Sequence, residues 1–155
     1  MSFIVSALPA EPFRPLFGLS DAALAERGVI RRKVDAKPGF PDRIEVRDAE
    51  PGESVLLVGY VHQSADTPYR ASHAVFVREG ATISYDRIDE IPDALRSRIL
   101  SLRAFDATHM MIDADLVEGD ALEGAIDRLL ANPEVAYVHA HYAKRGCYAA
   151  RIERG

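Results

Sequence analysis

Residues 135–154, VAYVHAHYAKRGCYAARIER, hold two of the five histidines and the only cysteine, together with Lys144, Arg145, Arg151 and Arg154. The stretch reads as a β-hairpin. Lys144-Arg145-Gly146 suits a three-residue loop in which glycine takes the left-handed conformation. That loop sets Ala143 opposite Cys147, His141 opposite Ala149 and His139 opposite Arg151. Side chains alternate along a strand, so Ala136, Val138, Ala140, Tyr142, Tyr148, Ala150 and Ile152 form an apolar face for a helix to pack on. The other face carries His139, His141, Cys147, Arg151 and Glu153, and it must meet water, a ligand or another chain. A two-residue loop shifts this pairing by one.

Working outward, strands are expected over Phe3 to Ala7, Val29 to Val34, Ile44 to Arg47, Val55 to His62, His73 to Arg78, Leu100 to Phe105 and Met110 to Val117. Ser20 can cap a short helix over Asp21 to Arg27 that Gly28 ends. Pro92 suits the first turn of another, running to about Arg98. The strongest helix follows Asp120 and Glu123, which have capping-box spacing. Its apolar stripe is Leu122, Ile126, Leu129 and Leu130, and Asn132-Pro133 stops it. The pattern indicates an α+β fold, one domain over residues 1–155, with a largely antiparallel sheet, two or three short helices and the C-terminal hairpin. The strand–helix–strand unit from Met110 to His141 is expected to supply a parallel pair.

A chain of 155 residues with 48% hydrophobic and 28% charged residues can bury its own core. A net charge of −5 opposes any general affinity for nucleic acid or anionic membrane. One cysteine excludes an intrachain disulfide and a structural zinc site made of several thiolates. The N-terminal residues MSFIVSALPAEPF lack the charged region of a signal peptide, and no segment is apolar for the roughly twenty residues of a membrane helix. The expectation is a cytoplasmic protein of bacterial type.

Two further strings, HQSADTPYRASHAVFVREG (62–80) and YVHAHYAKRGCYAARIER (137–154), resemble the bacterial family known as domain of unknown function 1203. The resemblance extends over the chain, including the DAEPGE turn and the SLRAFDA strand. It implies no activity.

The chemistry therefore has to be weighed residue by residue. His139 and His141 form an H-x-H pair whose spacing can place two imidazoles on one metal. A third ligand is needed, and His62, His73, His109, Asp113, Asp115 and Cys147 are the candidates, with no second motif to select one. His62 and His109 sit at strand ends, where partial exposure is the simpler expectation. The pair is similar to the H-x-H of cupin metal sites but lacks the glutamate that should follow. Arg151 beside His139 also disfavours a dication. On these grounds the sequence assigns no metal and no cofactor.

Cys147, diagonal to His141 and near basic residues, has the setting of a reactive thiolate, so His141 and Cys147 are the catalytic candidates if the protein is an enzyme. Against that stand the usual role of a free cysteine as a small buried hydrophobe and the lack of an oxyanion motif. Tyr69, Arg70, Ser72 and His73 gather at a loop exit, where Arg70 can grip a carboxylate or phosphate, although turns use the same residue types for backbone reasons. Arg103 lies on one strand face with Ser101 and Phe105.

The resulting expectation is a pocket for a small anionic or polar ligand, lined by Tyr69, Arg70, His73, Arg103, His139, His141 and Arg151. Two alternatives remain open. One is a noncatalytic module that forms a homodimer through the hairpin face. The other is a metal-dependent enzyme built on the H-x-H pair.

Overall fold

The C-terminal hairpin forms and lies at the middle of a six-stranded sheet. The computed structural model describes residues 1–155. Its strands are β1 (Phe3–Ser6), β2 (Ile30–Lys33), β3 (Pro41–Asp42), β4 (Arg47–Asp48), β5 (Ser54–Gln63), β6 (Ala71–Arg78), β7 (Asp86–Ile88), β8 (Ile99–Phe105), β9 (Met111–Glu118), β10 (Tyr137–Tyr142) and β11 (Tyr148–Arg154). Helices α1 (Asp21–Glu26), α2 (Asp93–Arg96) and α3 (Leu122–Leu130) are joined by short 3₁₀ turns at Glu11–Leu16 and Gly119–Ala121. The larger sheet runs β7-β1-β11-β10-β8-β9 and the smaller β2-β5-β6-β3-β4. The fold is α+β and almost wholly antiparallel.

The apolar face predicted for the hairpin packs as expected except at Tyr148, which belongs to a separate core. Val138, Ala140, Ala150 and Ile152 share one core with Leu100, Leu102 and the α3 stripe Leu122, Ile126, Leu129 and Leu130. The small alanines let α3 lie close to the strands. A second core joins Leu24 of α1 and Phe13 to the inward stripe of β5 and to Val75 and Val77 of β6. Ser20 Oγ accepts from Ala23 N, and Gly28 takes a φ of 71°, so α1 is capped as its sequence predicts.

Three expectations are corrected. The unit β9–α3–β10 steps over β8, so β9 and β10 are not bonded to each other; the one parallel pairing joins β3 to β6, with Asp42 opposite Phe76. Ile44 to Val46 lie in a turn, and only Arg47 of the expected strand is in one, as the start of β4. The buried Asp42 carboxylate accepts from Glu45 N and Arg78 N, both at 2.6 Å, and holds the chain in that turn while Val46 adopts a φ of 50°. The capping box also does not form. Gly119 packs so closely on α2 that a Cβ there would lie 2.2 Å from Leu95 O. The 3₁₀ turn therefore precedes α3, and Glu123 pairs with Arg96 instead.

Candidate functional site

The last inward position of β5 brings a third histidine to the pair. Leu56, Val58 and Tyr60 point into the second core, and His62 continues that alternation to the end of the strand. Val61 pairs with Ser72 and Gln63 with Ala71, which leaves His62 as the extra residue of a β-bulge. The inward face of β5 already meets Tyr148 of the larger sheet, so His62 reaches β10 on that face, at the bulge that ends its pairing with β6. His139 and His141 are 4% and 1% exposed there. Each of the three rings offers a nitrogen within 4.8 Å of the other two.

A second bulge completes the arrangement from the hairpin side. His139 lies opposite Arg151 and Ala140 opposite Ala150, as the three-residue loop predicts, but His141 lies opposite Tyr148. Tyr142 N donates to Cys147 O and Gly146 N to Tyr142 O, so the connection is a four-residue loop, Ala143 to Gly146. Ala149 is the extra residue that restores the register. Gly146 still takes the left-handed conformation, at φ 80°. Between loop and bulge the two faces exchange residues: Tyr148 joins the histidines and Cys147 turns into the core. The Tyr148 ring lies 5.4 Å from that of His62, 5.0 Å from His139 and 5.6 Å from His141. Cys147 Sγ instead accepts from the buried Arg43 guanidinium at 2.9 Å. The thiol and the imidazoles are thus on opposite sides of the hairpin, which removes the geometric basis for a Cys147–His141 pair.

Burial keeps the three imidazoles neutral at ordinary pH. It pushes His62 down to about 4, with Arg103 and His73 adding repulsion, and His139 and His141 down to about 3. His141 Nδ1 lies 2.9 Å from Gly146 O, where it donates as the N–H tautomer and leaves Nε2 as a bare acceptor. His141 Nε2, His139 Nδ1 and His62 Nδ1 are buried without any hydrogen-bond partner. A buried polar atom left unbonded costs about 1–3 kcal/mol, and each ring of this cluster carries one such nitrogen. A divalent ion about 2.0–2.1 Å from each nitrogen needs them about 3.3 Å apart, so ligation requires the rings to draw in from the 4.8 Å within which their nitrogens lie. The backbone contact of His141 is the outer hydrogen bond that orients metal-ligating histidines.

The other expected residues divide. Arg103 on β8 lies opposite His139, half-buried, and the chain gives its guanidinium no hydrogen-bond or ion-pair partner; burial lowers its pKa. Arg151 lies opposite His139 on the other side, but its guanidinium stacks 4.1 Å from the Tyr137 ring and pairs with Glu153 at 3.3 Å. The predicted clash of Arg151 with a dication is therefore reduced. Tyr69 meets Phe105 edge-on at 6.1 Å, and Phe105 lies 5.2 Å from His139. His73 is near enough to raise the cost of charging His62 and His141 but is not one of the three. Arg70 folds back onto Ser64 O and closes its own loop. His109 bonds the Tyr137 hydroxyl at 2.7 Å, and Gln63 donates to the same oxygen.

Two surface clefts lie elsewhere: one is lined by Asp93, Arg96, Ser97, Glu118 and Asp120, the other runs between Glu45–Asp48 and Glu90–Ala94, and neither contains a histidine. No helix is long and apolar enough to cross a membrane.

Residues 39–154 match the model of a family described as "Protein of unknown function (DUF1203)". No curated protein and no solved structure matches the chain.

Proposed function

The chain belongs to the DUF1203 family, and we propose that it binds one divalent transition-metal ion through His62, His139 and His141, with an open coordination position for a small anionic ligand beside Arg103. The observation that carries this reading is a cluster of three imidazoles, each offering a nitrogen within 4.8 Å of the other two and each with a buried nitrogen that has no hydrogen-bond partner. Three protein ligands with a fourth position open is the pattern of catalytic rather than structural zinc sites. Neutral imidazoles leave the full positive charge on the ion, which acidifies a bound water and polarises a bound carbonyl or oxyanion. With the Arg103 guanidinium close by, the site carries excess positive charge, and an anion in the open position offsets it. Imidazole donors suit zinc, copper, iron and nickel, and zinc is the first ion to test.

The hairpin dimer has less support. His139 and His141 are buried within the chain itself, so that face does not present them to a partner.

The test is elemental analysis of tag-free protein after zinc loading and desalting. About one zinc per chain is expected, lost in His62→Ala, His139→Ala and His141→Ala and kept in Cys147→Ala. Zinc well below one per chain, or retention when two of these histidines are removed, sinks the metal reading.

A further inference from the structure

Beside Arg103, the larger sheet exposes an apolar strip that nothing in the chain covers. Leu100, Leu102 and Ala104 point into the α3 core, so Ile99, Ser101, Arg103 and Phe105 point the other way, toward the histidines. On β9, Val117 packs on the α3 core and Asp115 pairs with Arg128 of α3. Ala114 and Leu116 therefore share the Arg103 face. Ala114 lies opposite Arg103 and Leu116 opposite Ser101. Leu116 is 65% and Ile99 47% exposed, and β9 is the free edge of its sheet. Ser101, Phe105, Ala114, Leu116 and His139 surround the guanidinium on this face, and the nearest carboxylate along β9 on the same face is the exposed Glu118, at the far end of the strip opposite Ile99.

From these positions we infer that the ligand is an amphipathic monocarboxylate of soluble, medium-chain type. Its head sits between Arg103 and the histidine centre, and its apolar body lies over Leu116 and Ile99. The inference rests on the reading of the open position as an anion site and adds the shape of the molecule that fills it. A carboxylate matches the planar guanidinium fork with two oxygens. At about 3.3 Å per residue, the strip runs about 13 Å from Arg103 to Ile99, which suits a chain of several methylenes. Apolar contact along it removes from water the surface that β8 and β9 leave open.

Calorimetric titration of the zinc-loaded and metal-free protein with octanoate, acetate and 1-octanol tests this. Octanoate should bind at least tenfold tighter than either acetate or 1-octanol. Leu116→Ser, at an exposed position, should remove most of the preference for octanoate over acetate without lowering the melting temperature. Arg103→Gln should weaken both carboxylates at least tenfold. Equal affinities for octanoate and acetate overturn the inference, as does octanoate binding indifferent to Arg103. A stable dimer by light scattering that Leu116→Lys converts to monomer also overturns it, since a second copy then covers the strip. If the protein takes no zinc but its metal-free form keeps the octanoate preference and the Arg103 dependence, the metal reading alone fails.

Discussion

The ring of Tyr148 lies parallel to that of His62, 5.4 Å between centroids and 6° between planes. One ring comes from the larger sheet and the other from the smaller, so this stack fastens the two sheets at the site where the imidazoles converge. It depends on the inward alternation of β5, which carries His62 to the interface, and on the bulge at Ala149, which puts Tyr148 on the histidine face.

Tyr148→Ala should therefore do two things. Removing a large buried aromatic costs about 3–5 kcal/mol, to be read as a lower urea midpoint. Freed of the wall that holds three rings, the protein should also bind zinc at least tenfold more weakly. Tyr148→Phe keeps the ring and should match wild type within about 1 kcal/mol. Zinc affinity unchanged in the alanine variant would mean the imidazoles are held by their own strands alone.

Gly146→Val addresses the loop. At φ 80° any side chain is strained even though a Cβ there meets nothing within 4 Å. The cost is about 1 kcal/mol and more for a β-branched residue. Since Gly146 O also anchors His141 Nδ1, zinc binding should weaken with stability. Lys144→Ala, in the same loop, should leave both unchanged. Equal melting temperatures for the two variants would contradict the left-handed assignment.

Much of this was legible in the sequence. The alternation about Lys144-Arg145-Gly146 gives the hairpin, its two faces and the pairing of His139 with Arg151, because period-2 patterning reports a buried face directly. The exchange of Cys147 and Tyr148 was not legible. A loop one residue longer, compensated by one extra residue at Ala149, leaves the distant register intact and inverts only the residues between. His62 is the partly exposed strand-end residue the sequence suggests, but its place beside the H-x-H pair was not legible. The signal for it was present: Leu56, Val58 and Tyr60 set an inward stripe that His62 continues. What no local pattern reports is that the β5 end faces β10 of another sheet, since that contact spans more than seventy residues of sequence.

Arg43 is the clearest case of a residue invisible in the sequence. It is 1% exposed, and its guanidinium donates to Tyr148 O at 2.9 Å, Pro41 O at 2.5 Å and Cys147 Sγ at 2.9 Å. It thereby ties the turn after β3 to the hairpin loop. Arg43→Met keeps apolar volume but strands buried acceptors at roughly 1–3 kcal/mol each, so a loss of about 3 kcal/mol in chemical denaturation is expected. Cys147→Ala removes one small acceptor and should cost about 1 kcal/mol. If the two variants are equally stable, Arg43 does not fasten the hairpin.

Acid should act on the metal-free protein through the same three histidines. In the unfolded chain their imidazoles take up protons as the pH falls through about 6.5. In the fold, burial holds His62 near about 4 and His139 and His141 near about 3. The unfolded state thus binds more protons throughout that interval, and stability rises with pH across it. The contribution is complete above about pH 6.5, declines on acidification, and levels off once the folded-state imidazoles are themselves protonated. Urea midpoints at about pH 7.5 and about pH 5 should show the drop in a window where most carboxylates stay ionised. His139→Gln with His141→Gln, neutral at both pH values, should flatten most of it whatever its effect on stability at the higher pH. Zinc should raise the midpoint at the higher pH and make the acid fall steeper, because ligation requires unprotonated imidazole. A double variant that loses stability with acid as steeply as wild type would show that these rings are not held neutral by burial.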